Sequence, residues 1–88
     1  MEMPFDENMV DEHTFIRKFY QDTDSGELVW HRDREDRIIE NLHETDWLVQ
    51  IDNQLPKKIE GKISIPKGVY HRLIKGSGNL EIKVHKIF

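Results

Sequence analysis

Apolar and polar residues alternate with a period of two along much of the chain. From Thr14 onwards, Phe15, Arg17 and Phe19 fall on one face of an extended segment, and the residues between them fall on the other. This alternation is typical of half-buried β-strands. The runs that share the pattern are "TFIRKFY", "ELVWHRD", "RIIENL", "WLVQIDN", "KISI", "VYHRLI" and "LEIKVHKI".

Turn signals between these runs predict how the strands pair. The cluster "QDTDSGE" predicts a hairpin between "TFIRKFY" and "ELVWHRD", and the polar break "HETD" predicts a second hairpin between "RIIENL" and "WLVQIDN". A short strand is expected in the connection "QLPKKIEG". Seven or eight short antiparallel strands at close spacing predict an all-β sandwich or barrel. Helical periodicity is weak everywhere except over residues 9–20, where the β-rich "TFIRKFY" argues against a helix.

Length and composition limit the domain organisation and the kinds of site that the chain can form. The 88 residues are enough for one domain, which we place at residues 13–88, after an N-terminal arm at residues 1–12 that is either loose or an added edge segment. A core this small favours a homodimer. The chain has no cysteine, which excludes disulfides, thiolate zinc sites and cysteine nucleophiles.

Charge and hydropathy bear on location and partners. No apolar run approaches the roughly 20 residues needed to span a bilayer, and the acidic start lacks the features of a signal peptide. We therefore expect a cytoplasmic protein that does not bind membranes. The net charge is −4 with acids and bases interspersed, so no attraction for nucleic acid is predicted.

A turn with the sequence "IPKGVYH" presents one histidine in a defined direction. Pro66 and Gly68 form the turn, and His71 follows at the start of a strand with its ring directed to one face. With the preceding Gly61, these residues resemble the second sequence motif of the cupins, in which a glycine and a short strand precede P-x-G-x-x-H. The present chain has one residue fewer between the glycine and the proline.

The first cupin motif is H-x-H, then a glutamate, then a turn glycine, and "HRDREDRIIENLHETDW" resembles it in part. His31 and Asp33 fall in the two histidine positions. Arg37 falls in the glutamate position, or Asp36 lies near it after a one-residue shift, and the "HETD" turn replaces the glycine. The resemblance spans residues 27–84 and implies a cupin-like antiparallel jelly-roll barrel. In cupins these motifs bring three histidines and a glutamate to a divalent metal inside the barrel.

Three residues of this chain could supply a reduced metal site. His31 and Asp33 share a face of a strand because they lie at positions i and i+2, and His71 adds a second imidazole. Two imidazoles and a carboxylate suit Fe, Mn, Ni or Zn. Alternatively, the arginines of "DREDR" pair with its acids, and Asp33 is then occupied by an arginine rather than a metal.

The predicted function is binding of a small polar molecule in the barrel, and a divalent metal held by His31, Asp33 and His71 is one way in which the molecule could be bound. Alternatives are a metal-dependent enzyme of dioxygenase or isomerase type and a metal-free structural or interaction protein, which the fold alone does not distinguish. The residues expected to contact the small molecule are Arg37, Tyr70 and Arg72. The remaining histidines are expected to be surface or hydrogen-bonded residues: His13, His43 and His85.

Overall fold

A computed structural model describes residues 5–22 and 28–88, except for the side chain of Phe5. The strands are β1 (Phe5–Met9), β2 (Thr14–Phe19), β3 (Asp36–Asn41), β4 (Leu48–Ile51), β5 (Lys57–Lys58), β6 (Lys62–Ile65), β7 (His71–Ile74) and β8 (Leu80–Ile87). Within the described residues every strand pair is antiparallel and there is no α-helix. The predicted all-β antiparallel class is therefore confirmed. No helix of the described residues could cross a bilayer.

The strands form two sheets. The larger has the order β1-β2-β8-β3-β6, and the smaller has the order β5-β4-β7. The segment at Phe5–Met9 is thus the outer strand of the larger sheet, which is one of the two alternatives that the acidic N-terminal sequence left open. The long strand β8 lies at the centre of the larger sheet, where residues 80–85 pair with β2 and residues 82–87 pair with β3.

Both predicted hairpins are wrong. The segment at residues 28–33 forms no regular strand and pairs only through an isolated bridge at His31, while β2 pairs with β1 and β8. The turn residues 23–27 of that hairpin lie outside the described residues. In the second case β3 and β4 belong to different sheets, because the connection at residues 42–47 crosses from one sheet to the other. Alternation identifies the buried face of a strand but not its neighbours.

The core lies between the inner faces of the two sheets, as in other packed β-sheets. Alternate residues of β2, β4, β6, β7 and β8 are buried in it, which accounts for the two-residue period of these segments. The indole of Trp47 is buried and its Nε1 donates a hydrogen bond to the carbonyl of Gly78. By contrast, Trp30 is 42% exposed. The buried apolar residues are Phe15, Phe19, Ile39, Trp47, Val49, Ile51, Ile59, Ile63, Ile65, Leu73, Leu80, Ile82 and Val84.

Candidate metal centre

His31 and His71 lie side by side because their backbones form an isolated antiparallel bridge. The amide of His31 donates to the carbonyl of His71 at 3.0 Å, and the amide of His71 donates to the carbonyl of His31 at 2.8 Å. Residues paired in this way direct their side chains to the same face. The two imidazole rings are accordingly 4.3 Å apart between centroids.

The turn at Pro66–Gly68 holds this bridge in place. The amide of Val69 donates to the carbonyl of Pro66 at 3.3 Å, and Gly68 has a φ of +75°, which matches a type II turn with glycine in its third position. The turn is also tied to the segment after His31. The amide of Gly68 donates to the carbonyl of Asp33 at 2.9 Å, and the amide of Lys67 donates to Asp36 Oδ1 at 2.7 Å.

The same backbone hydrogen bond fixes the orientation of each imidazole. His31 Nδ1 lies 2.8 Å from the carbonyl oxygen of Val29, and His71 Nδ1 lies 2.9 Å from that of Val69. A carbonyl oxygen can only accept, so Nδ1 carries the hydrogen in both rings. In the neutral form each Nε2 then has a free electron pair, and this arrangement is typical of histidines that ligate metals.

Asp33 completes a compact group of potential metal ligands. Its Oδ2 lies 3.2 Å from His71 Nε2, and one ligand atom from each of His31, Asp33 and His71 lies within 4.8 Å of the others. Among the described residues, no donor reaches the buried Asp33 Oδ2 with hydrogen-bond geometry. Two electron-pair donors this close require a cation between them. A metal ion would supply this cation, so the residues present fit a metal.

The electrostatic surroundings keep Asp33 ionised. Burial of its carboxyl group alone would raise the pKa, but the contact with His71 and the positive charge of Arg37 outweigh burial. The pKa of Asp33 therefore lies below the ordinary value of 3.8. A carboxylate is the form that a metal ligand requires.

Solved structures with the same fold identify the architecture. A cupin domain from Bordetella pertussis aligns over 100% of this chain and 99% of its own, with a TM-score of 0.64 and 16% identity. A cupin-2 domain protein from Shewanella frigidimarina aligns over 99% and 85%, with a TM-score of 0.64 and 15% identity. This chain has the cupin fold. The likeness at these identities shows the fold alone.

A further cupin-like neighbour is a candidate mannose-6-phosphate isomerase from Ralstonia eutropha. It aligns over 96% of this chain and 83% of its own, with a TM-score of 0.65 and 13% identity. No family model matches the sequence, and no curated protein is similar to it at a significant level.

Arg37 is one of the two residues that the motif comparison places at or near the cupin glutamate, and its guanidinium lies beside the candidate ligands. Its Nε is 3.4 Å from Asp33 Oδ2, and its Nη2 donates to Glu35 Oε1 at 2.9 Å. Lys86 Nζ lies 3.8 Å from the same Glu35 oxygen. Of the arginine pairing expected as an alternative for "DREDR", the contacts of Arg37 with Asp33 and Glu35 therefore occur, together with the approach of the two histidines.

A second charged pair lies on the core side of the larger sheet. Arg17, which is 9% exposed, places its Nε 2.6 Å from Glu7 Oε2, and the two residues are directly opposite each other in β2 and β1. The sequence analysis assigned no function to either residue. The alternation in β2 already placed Arg17 on the face of Phe15 and Phe19, and this was the signal for its burial.

Two of the residues expected to contact a small molecule lie on the outer side of β7. Arg72 donates two hydrogen bonds to Gln50 Oε1 at 3.0 and 2.8 Å and lies over the ring of Trp30 at 4.9 Å. Tyr70 is 44% exposed, with the guanidinium of Arg32 5.3 Å from its ring centre. The structure does not bring Arg72 together with His71, because adjacent residues of a strand face opposite ways. A role of Arg37, Tyr70 and Arg72 in ligand binding stays a prediction.

The site borders one small internal cavity and one open cleft. Between the sheets, His71, Arg37, Arg17 and apolar side chains surround about 20 Å³, which is room for about one water molecule. Outside the barrel, an open cleft of about 670 Å³ has Asp33 in its wall. The larger space for a small molecule thus lies outside the barrel rather than in its interior.

Proposed function

We propose that this cupin binds a divalent transition metal through His31, Asp33 and His71 and offers the remaining coordination positions to a small molecule. The observation that carries the proposal is the orientation of the two imidazoles. Each Nδ1 is held by a backbone carbonyl, which leaves Nε2 directed to the group that contains Asp33. Two imidazoles and a carboxylate favour Fe, Mn, Ni or Zn.

A catalytic form of this function is compatible with the ligand set. Three protein ligands leave positions open for substrate, and a bound metal would polarise an oxygen atom of that substrate. The residues of the chain would hold the metal and, through Asp33 and the neighbouring cleft, orient the small molecule. Isomerase or dioxygenase chemistry is the catalytic alternative within the proposal.

A metal-free cupin is the second candidate, and Arg37 favours it. Its guanidinium lies 3.4 Å from Asp33 Oδ2 and supplies a positive charge at the place where a metal would supply one. In that case Arg37 is the cationic partner of Asp33, and the protein binds its partner or ligand without metal chemistry.

Thermal unfolding of tag-free protein in the presence of Mn²⁺, Fe²⁺, Ni²⁺ or Zn²⁺ tests the proposal. A metal that binds only the folded state stabilises it by about 2.7 kcal/mol when its free concentration is 100 times Kd. His71→Gln and Asp33→Asn should abolish this stabilisation. His13→Gln should retain it, because His13 is exposed and pairs only weakly with Glu12 at 3.8 Å. If none of the four metals raises the Tm of the unmodified chain, the metal-free candidate is correct.

A further inference from the structure

A basic cleft lies beside the candidate metal ligands. It runs between the segment after His31 and the turn at Pro66–Gly68, and its volume of about 670 Å³ is in the range of small-molecule sites. Three cationic side chains and one carboxylate surround it, so the lining has an excess of two positive charges. The lining residues are Arg32, Asp33, Arg34, Lys67 and Gly68.

The cations of this cleft differ from the other basic residues near the site. Arg37 and Lys86 are both paired with Glu35. Within residues 5–22 and 28–88, by contrast, no carboxylate forms an ion pair with Arg34 or Lys67. Charges that the protein leaves uncompensated in a concave surface attract an anionic ligand.

Arg32 is held at the rim by an aromatic ring. Its guanidinium lies 5.3 Å from the ring centre of Tyr70, which orients the side chain through a cation–π contact. The face of a guanidinium can stack on a ring while its N–H groups remain able to donate to an oxyanion. Tyr70 thus acts on the cleft by positioning Arg32.

The backbone of the turn contributes little to anion binding because its amides are already used. The amide of Lys67 donates to Asp36, and the amide of Gly68 donates to the carbonyl of Asp33. Binding in the cleft therefore depends on the side chains of Arg32, Arg34 and Lys67. Substitution of these side chains should reveal the site without disturbing the turn.

We propose that this cleft binds the phosphate group of a small molecule, and that the same molecule faces a metal held by His31, Asp33 and His71. The inference rests on the proposed function for the position of the metal. A phosphate monoester carries close to two negative charges at pH 7, which matches the excess charge of the lining. Asp33 belongs to both the cleft and the candidate metal group, since it lines the cleft and its Oδ2 lies 3.2 Å from His71 Nε2. The internal cavity beside His71, with about 20 Å³, has no room for such a group.

Titration of the full chain with inorganic phosphate, at constant ionic strength and with EDTA present, tests the cleft independently of the metal. Backbone amide NMR shifts should saturate and should centre on residues 32–34 and 67–68. The double variant Arg34→Gln/Lys67→Gln should bind phosphate at least about tenfold more weakly, because it loses two charge-assisted contacts. Acetate, with a single charge, should bind more weakly than phosphate.

The matched control is Lys57→Gln/Lys58→Gln, which removes the same net charge from the exposed strand β5. It should leave phosphate binding unchanged. Equal weakening in the control, shifts that do not saturate, or equal binding of acetate and phosphate would overturn the phosphate site.

Metal titration of the cleft variant separates this inference from the proposed function. Arg34→Gln/Lys67→Gln should keep the metal-dependent rise in Tm, since neither residue belongs to the ligand group. Phosphate binding without any metal response in the unmodified chain would overturn the metal function and support the cleft. A metal-dependent rise in Tm without phosphate binding would overturn the phosphate cleft and support the metal function.

Discussion

Arg37 Nε lies 3.4 Å from Asp33 Oδ2, so a cation stands next to the carboxylate of the candidate metal group. In the cupin motif that this chain resembles, the corresponding position carries a glutamate, which is an anionic ligand. The exchange replaces a negative charge by a positive one beside the site. A positive charge at this contact stabilises the metal-free carboxylate, and it is expected to lower the affinity of the proposed site for a metal ion.

Arg37→Gln should therefore strengthen metal binding. Removal of one positive charge near a divalent ion is expected to lower Kd by about tenfold or more, which is about 1.4 kcal/mol. Isothermal titration calorimetry with the metal that stabilises the unmodified protein would measure the change. The variant should also unfold more easily without metal, because Asp33 and Glu35 each lose one cationic partner.

Arg72→Gln is the control for this change, since its guanidinium binds Gln50 and Trp30 on the outer side of β7. Its metal affinity should equal that of the unmodified chain. A decrease in affinity on Arg37→Gln would contradict the electrostatic interpretation and would indicate that Arg37 supports the site by positioning Asp33.

Glu7→Gln should lower the free energy of unfolding by about 1–3 kcal/mol, because a neutral amide replaces the carboxylate that contacts the buried Arg17 guanidinium at 2.6 Å. Urea unfolding of the variant and the unmodified chain would measure the difference. Glu12→Gln, at a side chain that is 91% exposed, should have almost no effect. Equal stability of all three proteins would show that β1 contributes little to the fold through this pair.

The sequence predicted the strands better than their partners. Alternation indicates which face of a strand is buried, and this was sufficient for β2, β6, β7 and β8. Pairing depends on contacts between distant segments, such as β2 with β8, that no local pattern records. The resemblance to the cupin motifs predicted the overall fold, and solved structures at 15% and 16% identity confirm that fold.

The residues of the candidate site could be predicted from the sequence, but the backbone contacts that bring them together could not. The i and i+2 spacing placed His31 and Asp33 on one face, and the turn motif presented His71. The segment that carries His31 is not a strand, however, and the approach of the two rings depends on a single bridge. The cleft cations Arg34 and Lys67 could not be foreseen, because they come from two irregular segments that are joined by hydrogen bonds of the Gly68 amide to the Asp33 carbonyl and of the Lys67 amide to Asp36 Oδ1.

Asp46 should make the fold sensitive to acid. The hydroxyl and amide of Ser77 donate to its carboxylate at 2.7 and 2.8 Å and hold its pKa below 3.8. A group whose pKa is lower in the folded state contributes stability above its unfolded pKa, and this contribution is lost as the pH falls through the folded value. Asp46→Asn should therefore be less stable than the unmodified chain at pH 6, and the difference should shrink towards about pH 3.

Urea unfolding at several pH values would measure this convergence, with Ser77→Ala as the partner variant. Ser77→Ala removes the hydroxyl donor and should reduce the same acid dependence. A stability difference between Asp46→Asn and the unmodified chain that stays constant from pH 6 to about pH 3 would contradict the role of the carboxylate charge.

Gly76 should tolerate no side chain, because it packs directly on the backbone that carries Asp46. A Cβ atom at this position would lie 2.7 Å from the amide nitrogen of Trp47 and 2.8 Å from the carbonyl carbon of Asp46. Neither atom can move away without displacing the buried indole of Trp47. Gly76→Ala is expected to cost about 2–3 kcal/mol of unfolding free energy, measured in urea.

Gly78→Ala is the matched control in the same turn. Its φ of +72° is strained for alanine, but a Cβ there meets no atom within 4 Å, so the expected cost is only about 1 kcal/mol. The two substitutions thus separate backbone strain from steric overlap. A larger loss of stability for Gly78→Ala than for Gly76→Ala would contradict this explanation. In that case, steric overlap with Asp46 and Trp47 would not be the reason that position 76 requires glycine.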